Sequence, residues 1–132
     1  MVDITRDARW GRVMEGAGED PYLGSLIAEA RVKGFQGGEN WQTLSSPHTL
    51  LACGKHFAGY GAAESGKDYN TAELSMHTLR NVYLPPYEAT LNAGVGSIMA
   101  SFNEINGVPA TADKWLLTEV LRKEWGFNGL LV

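Results

Sequence analysis

Short apolar runs alternate along this chain with longer patterns typical of helices, and this alternation restricts the fold more than any other feature. Continuous apolar runs suit strands that are covered on both faces of a sheet. The predicted strands are residues 1–5, 49–54, 96–102 and the run that opens at residue 130. Because a helix lies between each pair of strands, the sheet is predicted to be parallel, with right-handed crossovers.

Each predicted helix carries a start signal and a stop signal. Asp20, which is followed by a proline, predicts a helix that runs to about Phe35 and is closed by a Gly-Gly pair. Ser75 caps a second helix, which a Pro-Pro pair interrupts before it ends near Gly94. Asp113 caps a third helix, closed by a glycine. The sequence therefore predicts three crossover helices.

Composition excludes several classes of function. The 132 residues suffice for one domain with a modest core, and no segment has the apolar length of a membrane span. Net charge is -4 and the eleven Lys and Arg residues are scattered, so we expect neither a nucleic acid nor a membrane as partner. The single cysteine, Cys53, lies in an apolar run and is predicted to be a small buried residue.

Three long loops follow the predicted strands, at residues 6–19, 55–74 and 103–112. Parallel α/β folds build their ligand sites at the carboxyl ends of the strands, so function is expected in these loops. The pattern of elements is compatible with both a doubly wound sheet and a (β/α)8 barrel. Between these two architectures the residues alone do not decide.

Candidate site residues lie where two of these loops begin. Lys55 and His56 stand directly at the end of an apolar run, but successive strand residues point to opposite sides. Both can reach one ligand only if the backbone departs from regular strand geometry there. Judged from the residues alone, His56 is better explained as a core histidine bonded to backbone. Phe102 is most simply a core residue as well, although aromatic residues at strand ends also line ring pockets.

The first loop concentrates arginines and carboxylates around Trp10, and a salt-bridged loop over a packed tryptophan is its simplest interpretation. The three histidines lack the spacing of metal ligands. Neither a nucleophile elbow nor a phosphate-binding glycine loop occurs. No metal site is therefore predicted.

Four motifs taken together carry a specific resemblance: RDARWGRVMEGAGEDPYL, GKHFAGYG, LPPYEATLNAGVGSIMASFNEINGVPA and LLTEVLRKEWGFNGLLV, in that order. They resemble the N-terminal (β/α)8-type barrel of glycoside hydrolase family 3, and most of all its bacterial β-glucosidases. The resemblance covers residues 1–132 and implies a fragment of that domain, a partial TIM-type barrel of roughly half its strands and helices. One departure is Ala8, where the family usually has proline.

The resemblance also implies roles for individual residues. In the family, an arginine and an adjacent lysine and histidine hold the hydroxyls of the sugar at the scissile bond, and these correspond to Arg12, Lys55 and His56. Phe102 corresponds to an aromatic position near the same subsite. This reverses the interpretation of His56 as a core residue. No cofactor is implied, and the substrate is expected to be a β-linked oligosaccharide or glycoside.

By the same resemblance, the catalytic carboxylates are not among these residues. The nucleophile of a retaining mechanism is expected as an aspartate two residues after Val132, and the acid/base in a later domain. The chain is thus expected to be an inactive fragment that needs the remainder of its polypeptide. Related bacterial enzymes suggest a periplasmic or secreted location. The alternative is a small, complete α/β protein that binds carbohydrate without catalysis.

Overall fold

The structure is a computed structural model that describes residues 1–38 and 41–132. The strands are β1 Cys53–Phe57, β2 Ser97–Ala100, β3 Glu104–Ile105, β4 Val108–Pro109 and β5 Leu130–Leu131. β1, β2 and β5 form a parallel sheet in that order, whereas β3 and β4 form a small antiparallel hairpin. The prediction of a mixed α/β chain with a parallel sheet is confirmed.

Helices connect the parallel strands, as the alternation predicts. The α-helices are α1 Pro21–Gln36, α2 Met76–Thr78 and α3 Pro85–Asn92. Two π-helical segments, Leu79–Tyr83 and Trp115–Glu124, continue α2 and follow the Asp113 cap. Short 3-10 turns are found at Val13–Glu15, Trp41–Ser45, Tyr60–Ala62, Glu64–Gly66 and Ala110–Ala112. Among the described residues, no helix combines the length and the apolar character needed to cross a membrane.

The capping signals act as predicted. The Asp20 side chain accepts hydrogen bonds from the amides of Tyr22 and Leu23, at 2.8 and 3.0 Å, and α1 ends at a left-handed glycine. Ser75 and Asp113 each cap the amide three residues ahead, at 3.0 and 3.1 Å. These contacts satisfy N–H groups that have no partner within a helix. The three predicted helices are therefore confirmed, although no strand precedes the first of them within residues 1–20.

The predicted strand at residues 49–54 is wrong, because β1 begins only at Cys53. Leu50 and Leu51 are exposed, and the Leu50 amide bonds the carbonyl of Phe35 at the end of α1 instead of a neighbouring strand. Cys53 is also exposed, which corrects its prediction as a buried residue. An apolar run marks the approach to a strand here and not the strand itself.

Residues 1–5 form no regular strand, although residues 2–5 are buried beside β1. The amide of Val2 bonds the carbonyl of Lys55 at 2.9 Å, while that of Thr5 bonds Gly18 at 3.0 Å. The segment therefore lies beside β1 without a continuous ladder. It brings Asp3, a charged residue in an apolar run, into the interior.

One buried amide side chain joins α1 to the amino ends of two strands. Gln36 is 1% exposed; its Nε2 donates to the carbonyl of Gly94 at 2.8 Å. Its Oε1 accepts from the amides of Ala52 and Gly96, at 3.1 and 3.0 Å. Since buried backbone groups must find partners, Gln36 fixes the helix end against the sheet.

Candidate functional site

A buried histidine and a buried aspartate form the centre of the candidate site. His56 and Asp3 are each 1% exposed. Asp3 Oδ2 accepts from the backbone amide of His56 at 2.9 Å and lies 3.1 Å from His56 Nδ1. The Tyr87 hydroxyl donates to Asp3 Oδ1 at 2.9 Å and also contacts the carbonyl oxygen of His56. Burial, and then the charge of Asp3, raise the pKa of Tyr87.

His56 lies where β1 loses its regular register. Pairing with β2 joins Lys55 to Met99 and Phe57 to Ala100, so the register shifts between Lys55 and Phe57. The peptide bond between Lys55 and His56 is cis. The predicted departure from regular strand geometry is thus confirmed by the register shift. Whether both side chains contact one ligand stays a prediction.

Arg12 reaches the outer edge of the His56 ring. Its Nη1 lies 3.3 Å from His56 Nε2, and its Nε and Nη2 donate to the two carboxylate oxygens of Glu15, each at 2.7 Å. Hydrogen bonding to Glu15 raises the pKa of Arg12, and the same contact lowers the pKa of Glu15. Three of the five guanidinium N–H donors are so engaged, which leaves donor capacity for a ligand.

These contacts fix the proton position on His56. A guanidinium has only donors, so Nε2 of His56 accepts from Arg12. The proton of the neutral imidazole is then on Nδ1, where Asp3 accepts it. The carboxylate of Asp3 thus orients the ring from the interior, and the acceptor edge of the ring faces Arg12.

Lys55 is half-buried, and within residues 1–38 and 41–132 its ammonium group makes no hydrogen bond or ion pair. The charge of Lys55 nevertheless acts on Glu15, because it lowers the pKa of Glu15. This effect is smaller than that of Arg12. A lysine placed in this way is available to a ligand. Arg12 and Lys55 thus both act on Glu15.

Aromatic rings surround the other side of His56. Its ring centroid lies 5.0 Å from that of Tyr60 and 5.2 Å from that of Phe102. Phe102 also contacts Tyr60 and Tyr69, with centroids 5.3 and 5.7 Å apart. Phe102 is 53% exposed, which corrects its interpretation as a core residue and leaves an apolar face open beside His56.

Asp68 fixes this aromatic group from the long loop after β1. Its Oδ1 accepts from the Tyr60 hydroxyl at 2.5 Å and from the indole Nε1 of Trp10 at 2.9 Å. Burial raises the pKa of Asp68, but hydrogen bonds from Tyr60 and Trp10 outweigh that effect and lower it overall. Trp10 is 1% exposed and the arginines around it are paired, so the predicted salt-bridged loop is confirmed.

The four predicted residues Arg12, Lys55, His56 and Phe102 thus share one region. Sequence reasoning missed three partners, Asp3, Tyr87 and Asp68. Asp3 carried a usable signal, a carboxylate inside an apolar run, whereas Tyr87 lies 84 residues from Asp3 and gives no local sign. No group of His, Cys, Asp and Glu able to hold a metal occurs in the described part of the chain.

A cleft of about 480 Å³ lies elsewhere, lined by Leu91, Gly94 and Val95 and by residues 125–129. These residues precede β2 and β5, so the cleft opens at the amino ends of the strands. No buried charged side chain lines it. Volume alone is a poorer guide than convergent polar groups, and the candidate site stays with His56.

Comparison with known proteins gives a consistent result. The family described as "Glycosyl hydrolase family 3 N terminal domain" matches residues 1–132. A periplasmic beta-glucosidase of Salmonella typhimurium is 51% identical over 132 residues, which is 100% of this chain and 17% of the relative. A beta-xylosidase of Formosa agariphila is 45% identical over 128 residues, 96% of this chain and 17% of its own length.

A solved structure agrees in fold. The crystal structure of a mutant beta-glucosidase from Listeria innocua in complex with laminaribiose has a TM-score of 0.93 and 47% sequence identity. The match covers 100% of this chain and 18% of that one. The chain thus spans less than one fifth of the length of these proteins.

Proposed function

The chain belongs to glycosyl hydrolase family 3, and we propose that it is the sugar-holding section of a longer β-glucosidase-like hydrolase. That hydrolase cleaves non-reducing terminal β-linked sugars by a retaining mechanism. The observation that carries the proposal is the junction of Arg12 and His56, held from the interior by Asp3. The 51% identity to a named β-glucosidase supports the choice of substrate class.

A neutral sugar offers only hydroxyl groups, which are both donors and acceptors. A sugar hydroxyl beside Arg12 can accept from the guanidinium N–H donors that Glu15 and His56 leave unused. Lys55 supplies a further charged donor at the same place. Charged hydrogen bonds are stronger than neutral ones, so this arrangement holds the ring firmly as positive charge develops on it. Phe102 covers an apolar face of the sugar.

The architecture proposed is a section of a (β/α)8 barrel, roughly half of the closed domain. The parallel strands β1, β2 and β5 neighbour one another in chain order, as strands of such a barrel do. His56 lies next to the carboxyl end of β1 and Phe102 follows β2, and barrels of this type place their active sites at the carboxyl ends of their strands. A closed barrel typically needs about 250 residues, more than are present here.

The catalytic carboxylates are proposed to lie outside residues 1–132. The nucleophile is expected as an aspartate two residues after Val132, and the acid/base in a later domain. Two carboxyl groups about 5–5.5 Å apart complete a retaining mechanism. The isolated chain is then inactive, and the whole protein is periplasmic or secreted; the name of one relative gives a periplasmic location for that protein.

The first test is to sequence the gene through both ends of this segment. An in-frame Ser-Asp after Val132 and a further domain are expected. In that polypeptide, replacing the aspartate with alanine abolishes hydrolysis of aryl β-glucosides and aryl β-xylosides. A stop codon after Val132, with binding of glycosides but no hydrolysis, would instead support the non-catalytic carbohydrate-binding protein.

A second test separates the role of Arg12 from that of the loop that carries it. The Arg12→Gln variant of the full polypeptide should raise KM for aryl β-glycosides by about 10- to 100-fold, since a charged hydrogen bond is lost. Arg9→Gln is the matched control, because Arg9 lies in the same loop, is exposed and, among the described residues, pairs only with Asp7. Equal effects of the two substitutions would contradict the assignment of Arg12.

A further inference from the structure

Three aromatic or imidazole rings lead outward from the interior at the carboxyl end of the sheet. His56 is 1% exposed, Phe102 is 53% exposed and Tyr69 is 68% exposed. The ring centroids of His56 and Phe102 are 5.2 Å apart, and those of Phe102 and Tyr69 are 5.7 Å apart. The rings therefore form a continuous series that begins at the proposed sugar-holding group and ends at the surface.

Tyr69 is exposed although its position is fixed. Its ring contacts Tyr60 as well as Phe102, with a centroid distance of 6.0 Å to the fully buried Tyr60. The preceding residue, Asp68, is tied to Trp10 and to Tyr60 by hydrogen bonds of 2.9 and 2.5 Å. A large apolar ring in water with an anchored backbone is suited to receive another ring at little cost in conformational entropy.

The backbone of Tyr69 gives an independent observation. Its φ is +62°, in the left-handed region that bulky residues rarely adopt. Such a conformation is strained and persists where the surroundings enforce it, commonly at ligand sites.

We propose that Tyr69, which packs against Phe102, forms a platform for the leaving-group portion of the glycoside and determines which leaving groups are accepted. This inference rests on the proposed function, since the sugar that is cleaved must lie against Arg12, Lys55 and His56. The leaving group is then the next ring outward. Its chemistry is a second pyranose or an aromatic aglycone, both of which present a flat apolar face to an aromatic side chain.

The experiment compares leaving groups in the full polypeptide that carries this chain. Tyr69→Ala should raise KM for phenyl β-glycosides and for β-linked disaccharides by about five- to tenfold, the worth of one ring contact. KM for methyl β-glycosides, whose leaving group has no ring, should change less than about twofold. Tyr69→Phe keeps the ring and should behave as the unsubstituted protein does.

Phe35→Ala is the matched control. Phe35 is 55% exposed, but it lies at the end of α1 beside Met1 and Cys53, at the amino end of β1. This substitution should leave KM unchanged both for glycosides whose leaving group has a ring and for methyl β-glycosides. Melting temperatures of all variants show whether each one folds.

Two failures are distinguishable. If the unsubstituted protein hydrolyses none of these glycosides and binds none of them, the proposed function is overturned and the platform with it. If the protein is active but Tyr69→Ala raises KM equally for phenyl and methyl glycosides, or for neither, only the platform is overturned. The second case means that Tyr69 supports the loop or contacts another part of the polypeptide.

Discussion

Two buried polar residues, Gln36 and Asp3, stand at opposite ends of the same sheet and differ in what they bind. Gln36 engages three backbone groups at the amino ends of β1 and β2, and its hydrogen bonds end there. Asp3 engages an imidazole and a phenol, and its contacts continue through His56 to the partly exposed Arg12. Burial alone therefore does not mark a functional residue.

The distinction lies in the partners. A neutral amide that satisfies only backbone groups holds elements together. A carboxylate that orients a titratable side chain controls the position of the proton on that side chain. In this molecule, the first arrangement serves the helix end and the second serves the proposed sugar site. Substitutions at both ends can test this distinction.

The largest expected effect on stability is at Gln36. Gln36→Leu leaves two buried amides and one partly buried carbonyl without the partner they have now, so the free energy of unfolding should fall by about 3 kcal/mol. Guanidinium chloride denaturation of the full polypeptide measures this. Gln42→Leu, at an exposed position, is the control and should change little. Under conditions in which the variant is fully folded, its activity should not change. A selective loss of kcat would contradict the distinction between Gln36 and Asp3.

Asp3→Asn should reduce activity more than stability, which is the opposite of the result expected for Gln36→Leu. The amide keeps the shape of the carboxylate but removes its charge beside His56. We therefore expect kcat/KM to fall about tenfold or more, whereas the free energy of unfolding should fall by only about 1 kcal/mol. Steady-state kinetics with aryl β-glycosides and a denaturation curve measure both. Asp113→Asn alters a helix cap and should leave kcat/KM unchanged. A loss of stability without a loss of activity would show that Asp3, like Gln36, has only a structural role.

A smaller effect is expected at Glu15, which holds Arg12 from the outside. Glu15→Gln should raise KM about two- to fivefold, because a bidentate ion pair becomes a neutral contact.

The pH dependence has a defined sign. Arg12 lowers the pKa of Glu15 below its ordinary value near 4.5. The ion pair is then fully present above that ordinary value and is lost as pH falls through the lowered one. The ratio of the variant KM to that of the unsubstituted protein should therefore approach 1 in acid. A ratio independent of pH would contradict this role.

The smallest effect concerns the backbone at Tyr69. Tyr69→Gly and Tyr69→Ala both remove the ring, but only glycine adopts a φ of +62° without cost. The glycine variant should be about 0.5–1 kcal/mol more stable than the alanine variant, and both should show the same KM. If KM instead follows stability, the ring is structural.

Local signals were sufficient for much of the fold. Asp20, Ser75 and Asp113 cap their helices as predicted, because caps act over three residues. Strand limits were less accurate. The run at 49–54 is as apolar as a strand, but tertiary contacts at Phe35 and Gln36 take its amides, so β1 starts later.

The site was likewise only partly predictable from local sequence signals. Arg12, Lys55, His56 and Phe102 were identified through motifs, and the structure brings them together. What links them was not visible, since Asp3 meets His56 across 53 residues and Asp68 meets Trp10 across 58. Such pairings depend on how helices place the strands, and no local pattern encodes that.

The hydrogen bond between Tyr87 and Asp3 has a consequence for synthesis on the ribosome. The two residues are 84 positions apart, so the carboxylate of Asp3 emerges long before its partner is made. At about 5–20 residues per second, the interval is on the order of 4–17 s. During that time this contact cannot form, so the carboxylate of Asp3 has to stay hydrated until α3 has been made.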